Sequence, residues 1–117
     1  MERNELADRL ESMARGEGAV QVADILPTGR LGGWSTSSSS LPYNLYGNGA
    51  QVYNGYIYII GGSSSIGGAP LSSVYYNKIN TNGTLNSWTQ TTSLAGGRFT
   101  SGGNFTAVWG GYIYLAG

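Results

Sequence analysis

The sequence predicts an all-β protein with a short N-terminal α-helix. Three observations predict it. First, the chain is written twice. Asp24-Ile25-Leu26-Pro27-Thr28-Gly29-Arg30-Leu31-Gly32-Gly33-Trp34 aligns with Lys78-Ile79-Asn80-Thr81-Asn82-Gly83-Thr84-Leu85-Asn86-Ser87-Trp88 at an offset of 54. Val52, Gly55, Tyr56, Ile57 and Tyr58 align with Val108, Gly111, Tyr112, Ile113 and Tyr114 at an offset of 56. Second, the repeated segments are short runs of Tyr and β-branched residues separated by Gly-rich turns, the composition of strands and hairpins. Third, ten of the twelve charged residues lie in positions 1–30, so a polar leading segment is set apart from a nearly uncharged remainder. A repeat of this length and composition marks one blade of a β-propeller, a four-stranded antiparallel sheet.

The leading segment, residues 1–18, reads as helix and linker. Leu6, Leu10 and Met13 fall on one face at i, i+4 and i+7. Glu5 with Arg9 and Glu11 with Arg15 are i,i+4 pairs in the favourable orientation. Gly16 and Gly18 end the helix. Its apolar stripe is narrow, and a helix of this length is marginal alone in water. It is expected to pack on the sheets or to be the remnant of an upstream segment, or else to serve as an oligomerisation or docking helix.

From residue 19 onward the pattern is strand and turn. Val20–Ile25 repeats as Val74–Ile79, and both are expected strands. Gly29 and Asn82-Gly83 mark the turns that follow, and strands around Trp34 and Trp88 come next. Ala50–Tyr53 and Thr106–Trp109 are strands, closed by Asn54-Gly55 and Gly110-Gly111 into Tyr56–Ile60 and Tyr112–Ala116. Eight strands are expected in all.

These residues resemble a kelch repeat. The elements are Tyr56-Ile57-Tyr58-Ile59-Ile60-Gly61-Gly62, then Tyr75-Tyr76, then Gly83-x-Leu85-x-x-Trp88. The likeness is nearest to the Gly- and Ser-rich kelch-like repeats of bacterial and archaeal surface proteins, and it covers roughly residues 20–117. Arg98 stands where kelch repeats commonly carry an Arg, whereas the first repeat has Asn44 there. The resemblance implies four strands per blade, a to d from axis to rim. In that frame residues 19–117 run c-d, a-b-c-d, a-b, two blade-equivalents that cannot close a ring. Trp34, Gly61, Gly62, Trp88 and Gly111 are then structural positions of the repeat. The tryptophans, with Tyr56, Tyr58, Tyr112 and Tyr114, are expected between blades.

Composition limits the chemistry. The formal net charge is zero, so no long-range field draws the chain to nucleic acid or to an anionic membrane. There is no His and no Cys, the ligands on which zinc, copper and haem sites lean, and from Leu31 onward there is no Asp or Glu. No catalytic residue, metal ligand or cofactor is therefore expected. The glycines lack a following helix, so they do not form a phosphate cradle. Met1-Glu2-Arg3-Asn4-Glu5 is too charged to begin a signal peptide, and no apolar run reaches the length of a membrane-spanning helix. The composition nonetheless resembles that of extracellular or cell-surface repeat proteins. Asn82-Gly83-Thr84 and Asn104-Phe105-Thr106 match the glycosylation acceptor pattern, which arises easily by chance in a chain this rich in Ser, Thr and Asn.

The candidate binding residues lie in loops expected on one face of the ring: Tyr43, Asn44, Tyr46, Arg98 and Phe99. Flat aromatic surface with one cation suits a neutral glycan or an extended peptide. The expected partners are further copies of this chain, or the missing blades of a longer one. Two rival functions remain at this level: a fragment of a kelch-type oxidase or sugar epimerase whose active site lies elsewhere, and a repeat unit of a surface filament or adhesin.

Overall fold

The computed structural model describes residues 18–99 and 106–116. The expected N-terminal helix lies outside them, as does Asn104-Phe105. Among the described residues there are eight strands: β1 (Gln21–Val22), β2 (Ser35–Thr36), β3 (Gly49–Tyr53), β4 (Tyr56–Ile60), β5 (Val74–Lys78), β6 (Thr89–Gln90), β7 (Thr106–Trp109) and β8 (Tyr112–Leu115). They form three antiparallel sheets, β1-β2, β3-β4-β5-β6 and β7-β8. The protein is all-β, and its central sheet has the strand order of one four-stranded blade.

The hairpins follow from local chemistry. Asn54 and Gly55 both adopt positive φ, 52° and 81°, the signature of a type I′ turn, whose twist matches that of the strands it joins. Gly110 and Gly111 repeat this at 60° and 89°. The strands so joined share one register, since Tyr53 faces Tyr56 and Trp109 faces Tyr112.

The outer strands repeat equally closely, at the offset of 54. Gln21 faces Thr36 as Tyr75 faces Gln90, and Val22 faces Ser35 as Tyr76 faces Thr89. The lone bridges Ile25–Leu31 and Ile79–Leu85 keep the same spacing. So do the turn bonds, with the Gly29 amide donating to Leu26 and that of Gly83 to Asn80, both at 2.9 Å. Outside the ladders the two copies diverge. Leu41 N–H donates to Gly18 carbonyl, whereas Leu94 N–H donates to Ser72, a shift of one residue in the loop.

Register fixes what each face of the central sheet sees. Gln51, Tyr58, Ile60 and Val74 share one face with Tyr76, and Ile57, Ile59, Tyr75 and Asn77 share the other. The first face meets the β7-β8 sheet. Gln51 Nε2 donates to the Thr106 carbonyl at 3.1 Å and to its hydroxyl at 2.9 Å. Further out, Tyr58, Ile60 and Val74 line one wall of an apolar cavity of about 290 Å³, and Ile113 and Leu115 line the other. The second face looks toward the β1-β2 side, where Tyr43 reaches Tyr75.

Among the described residues the buried apolar core is small: Ile59, Ile60 and Val74. Asn77, only 1% exposed, donates through Nδ2 to the Asn86 carbonyl and holds the end of the β5-β6 hairpin. Burial departs from expectation at the ends of the stack. Tyr112 (68% exposed) and Tyr114 are exposed, whereas Tyr56 and Tyr58 are half-buried. Trp34 is 63% exposed, whereas Trp88 is half-buried with its indole N–H out of contact with solvent. The reason is position. The central sheet is flanked on both sides, and each outer sheet has a neighbour on one side only among the described residues.

Candidate functional site

The candidate residues sit where three connections converge beside the central sheet: the β2–β3 loop, the β4–β5 loop and the segment after β6. The first two are joined by a two-way bridge. Tyr46 N–H donates to Ser63 carbonyl at 2.9 Å, and Ser63 N–H returns the bond to Tyr46 at 2.8 Å. The third is tied to the β4–β5 loop at both ends. Gly62 N–H donates to Arg98 carbonyl at 2.8 Å, and Arg98 N–H donates to Leu71 carbonyl at 3.1 Å. These bonds fix the backbone, so the side chains project from a rigid platform.

The double glycine makes the convergence possible. Gly61 and Gly62 have φ of 63° and 87°, in the left-handed region. A Cβ on Gly62 would lie 2.8 Å from the Tyr46 carbonyl oxygen and 3.0 Å from the Asn48 nitrogen. The strand therefore needs glycine here to turn and to let the neighbouring loop close against it.

The five candidates divide by role. Tyr43 turns onto the central sheet. Its hydroxyl lies 3.0 Å from that of Tyr75 and 3.4 Å from that of Ser73, and the two rings meet edge-on at 6.2 Å. Burial, then the bond to Tyr43, pushes the Tyr75 hydroxyl from 10.0 up to about 12. Asn44 is also committed: its Oδ1 accepts from Gly18 N–H at 2.9 Å, while its Nδ2 donates to the Tyr46 hydroxyl at 3.4 Å. Tyr46, Arg98 and Phe99 remain exposed. The Phe99 ring lies against Gly47, where an added Cβ would come within 3.1 Å of it. No described residue bonds the Arg98 guanidinium. Tyr46, Arg98 and Phe99 are thus exposed on backbone segments that converge, and Tyr43 and Asn44 hold the β2–β3 loop that carries Tyr46.

Sequence reasoning missed Ser63, Ser73 and Tyr75. Ser63 is 1% exposed, and its hydroxyl donates to the Ser65 carbonyl at 2.9 Å. It stands in a run of three serines, where nothing in the sequence separates the buried one from its neighbours.

A second concavity, of about 210 Å³, lies between the first sheet and the β5-β6 turn. Its walls are mixed, with Asp24, Ser35 and Thr36 on one side, Asn82 and Thr84 on the other, and Val22 and Leu85 among them. Asn82 Oδ1 accepts from the Thr84 amide at 3.1 Å and from its hydroxyl at 2.6 Å, so this wall satisfies itself. Among the described residues no three acidic, His or Cys side chains gather as a metal site would require.

Compared with known families, residues 45–76 match the model of the Kelch motif. The matched stretch contains β3, the type I′ turn, β4, the double glycine and Tyr75-Tyr76 of β5. It also covers the whole β4–β5 loop and the end of the β2–β3 loop, from residue 45. This chain carries a kelch-like repeat. No curated protein and no solved structure gives a significant match to it.

Proposed function

We propose that this chain, on the premise of its kelch-like repeat, is a non-catalytic binding or structural module that becomes a closed propeller by joining copies of itself. One observation carries the reading. A complete four-stranded sheet stands between two two-stranded ones, and the outer sheets expose Trp34, Trp109, Tyr112 and Tyr114. Aromatic surface of this extent is costly in water and is relieved by burial against another sheet. Each copy contributes two blade-equivalents, so three copies make six blades, within the usual range for propellers. Light scattering is the test. The expected species has three times the 12.3 kDa chain mass. A soluble, folded species at the mass of one chain overturns the reading, and an open-ended size distribution favours a filament.

Within that assembly the ligand surface is the loop platform of Tyr46, Arg98 and Phe99. Aromatic faces stack on sugar rings or peptide groups, and the guanidinium supplies paired donors to hydroxyls or carbonyls. With so little charge nearby, affinity should depend weakly on salt. Screening the wild-type assembly against neutral oligosaccharides and extended peptides identifies the class. Tyr46→Ala with Arg98→Ala should then remove binding, with the circular dichroism and the assembly mass unchanged. Failure of the intact assembly to bind any member leaves a purely structural module.

A further inference from the structure

The proposed assembly leaves open which strand meets which, and the chain's own registers answer that. In the central sheet, β4 pairs with β5 as Tyr56–Lys78, Ile57–Asn77, Tyr58–Tyr76, Ile59–Tyr75 and Ile60–Val74. Among the described residues β8, the counterpart of β4, pairs only with β7, and β1, the counterpart of β5, pairs only with β2. Each outer sheet therefore holds the half of a blade that the other lacks.

We infer that the free edge of β8 takes β1 of a second copy of this chain, in the register of the central sheet. The offsets of 56 and 54 are kept by the ladders themselves. Carried across, they pair Tyr112 with Asp24, Ile113 with Ala23, Tyr114 with Val22, Leu115 with Gln21 and Ala116 with Val20 of the second copy. The bond from Ile79 N–H to Gly55 carbonyl, 2.8 Å in the central sheet, becomes one from Ile25 to Gly111.

Three observations support this occupant. The side chains suit the register: in the central sheet Tyr76 stacks on Tyr58 with centroids 6.3 Å apart. Its counterpart Val22 would lie across from the exposed Tyr114, an aromatic–β-branched pair of the kind that stabilises sheets. The same chain's β1 lies on the wrong side. β7 is bonded to one face of the central sheet through Gln51, while the loop after β2 reaches the other through Tyr43 and Tyr75. Finally, the outer edge of β8 is short and, among the described residues, unpaired, and pairing it removes the row of open backbone groups that an edge exposes.

Disulfide trapping tests the register, and the absence of native cysteine gives a clean background. In the central sheet the Tyr58–Tyr76 position lies between hydrogen-bonded pairs, where Cβ atoms approach closely enough for a disulfide. Val22→Cys with Tyr114→Cys in one chain should therefore oxidise to covalent multimers on denaturing gels. Val22→Cys with Ile113→Cys, one residue out of register, should remain at single-chain mass. Should the first pair not fold by circular dichroism, Asp24→Cys with Tyr112→Cys, the counterpart of the equally close Tyr56–Lys78 pair, is the in-register substitute.

The inference rests on the self-assembly proposed above, and the two fail differently. A wild-type protein that stays at single-chain mass removes both. A wild-type trimer whose in-register pairs do not cross-link, or whose out-of-register pair does, overturns the strand pairing and leaves the assembly standing.

Discussion

At the scale of residues, the platform depends on groups whose polar atoms are satisfied by one another. Tyr75 is the clearest case. Its hydroxyl is held among Tyr43 and Ser73, and its pKa is raised from 10.0 to about 12, chiefly by burial. The unfolded chain therefore releases this proton at lower pH than the folded one. The contribution is complete below about pH 10 and is lost as pH rises toward about 12. Chemical denaturation between pH 9 and pH 12 should show stability falling through that window, and Tyr75→Phe should flatten the fall. An equally steep fall in Tyr75→Phe would place the titration elsewhere. The three exposed candidates, Tyr46, Arg98 and Phe99, were legible from residue type and from their place beside turns. The roles of Tyr43 and Asn44 as struts were not, because their partners Tyr75 and Gly18 lie 32 and 26 residues away.

At the scale of elements, the two inner hairpins are a natural comparison. Both turns demand positive φ at two successive residues. β3-β4 meets the demand with Asn54-Gly55 and β7-β8 with Gly110-Gly111. Asn tolerates this region better than other side chains, so Asn54→Ala should cost about 1 kcal/mol. Gly110 has open space where a Cβ would stand. Gly110→Asn should therefore stabilise by about 0.5 kcal/mol, through the reduced freedom of the unfolded chain. Urea midpoints of the two variants measure both effects, and a destabilised Gly110→Asn would contradict the turn assignment. Hairpins such as these were readable because their rules are local. β3, β4, β5, β7 and β8 fall within one or two residues of their expected bounds. β1 is shorter than the expected Val20–Ile25, since a strand persists only where a neighbour continues the ladder, and β2 and β6 begin one residue after Trp34 and Trp88.

At the scale of the molecule, the outer sheets leave large aromatic side chains open to water. Trp34 and Trp109 are 63% and 79% exposed, while Trp88 is half-buried. If copies join through their outer sheets, both exposed indoles move from water to an apolar interface. Tryptophan emission should then shift to shorter wavelength as concentration passes the assembly threshold, and Trp109→Phe should reduce the shift. Emission that stays red while the mass rises to that of the trimer would mean that assembly uses another surface.

By itself the sequence determined the all-β class, the doubled pattern, the hairpin turns and the strands that flank them. Each of these depends on residues close in the chain: glycine and Asn at positive φ, alternation along a strand, and a period that repeats. Only the tertiary structure decided which faces of these sheets are covered. It also decided that Gly62 must be small because Tyr46 closes on it, that Ser63 is buried while the serines after it are not, and that Tyr43 braces the sheet while Tyr46 and Phe99 stay open. Those outcomes depend on contacts between segments far apart in sequence, and burial is a property of such neighbours rather than of the residue that is buried.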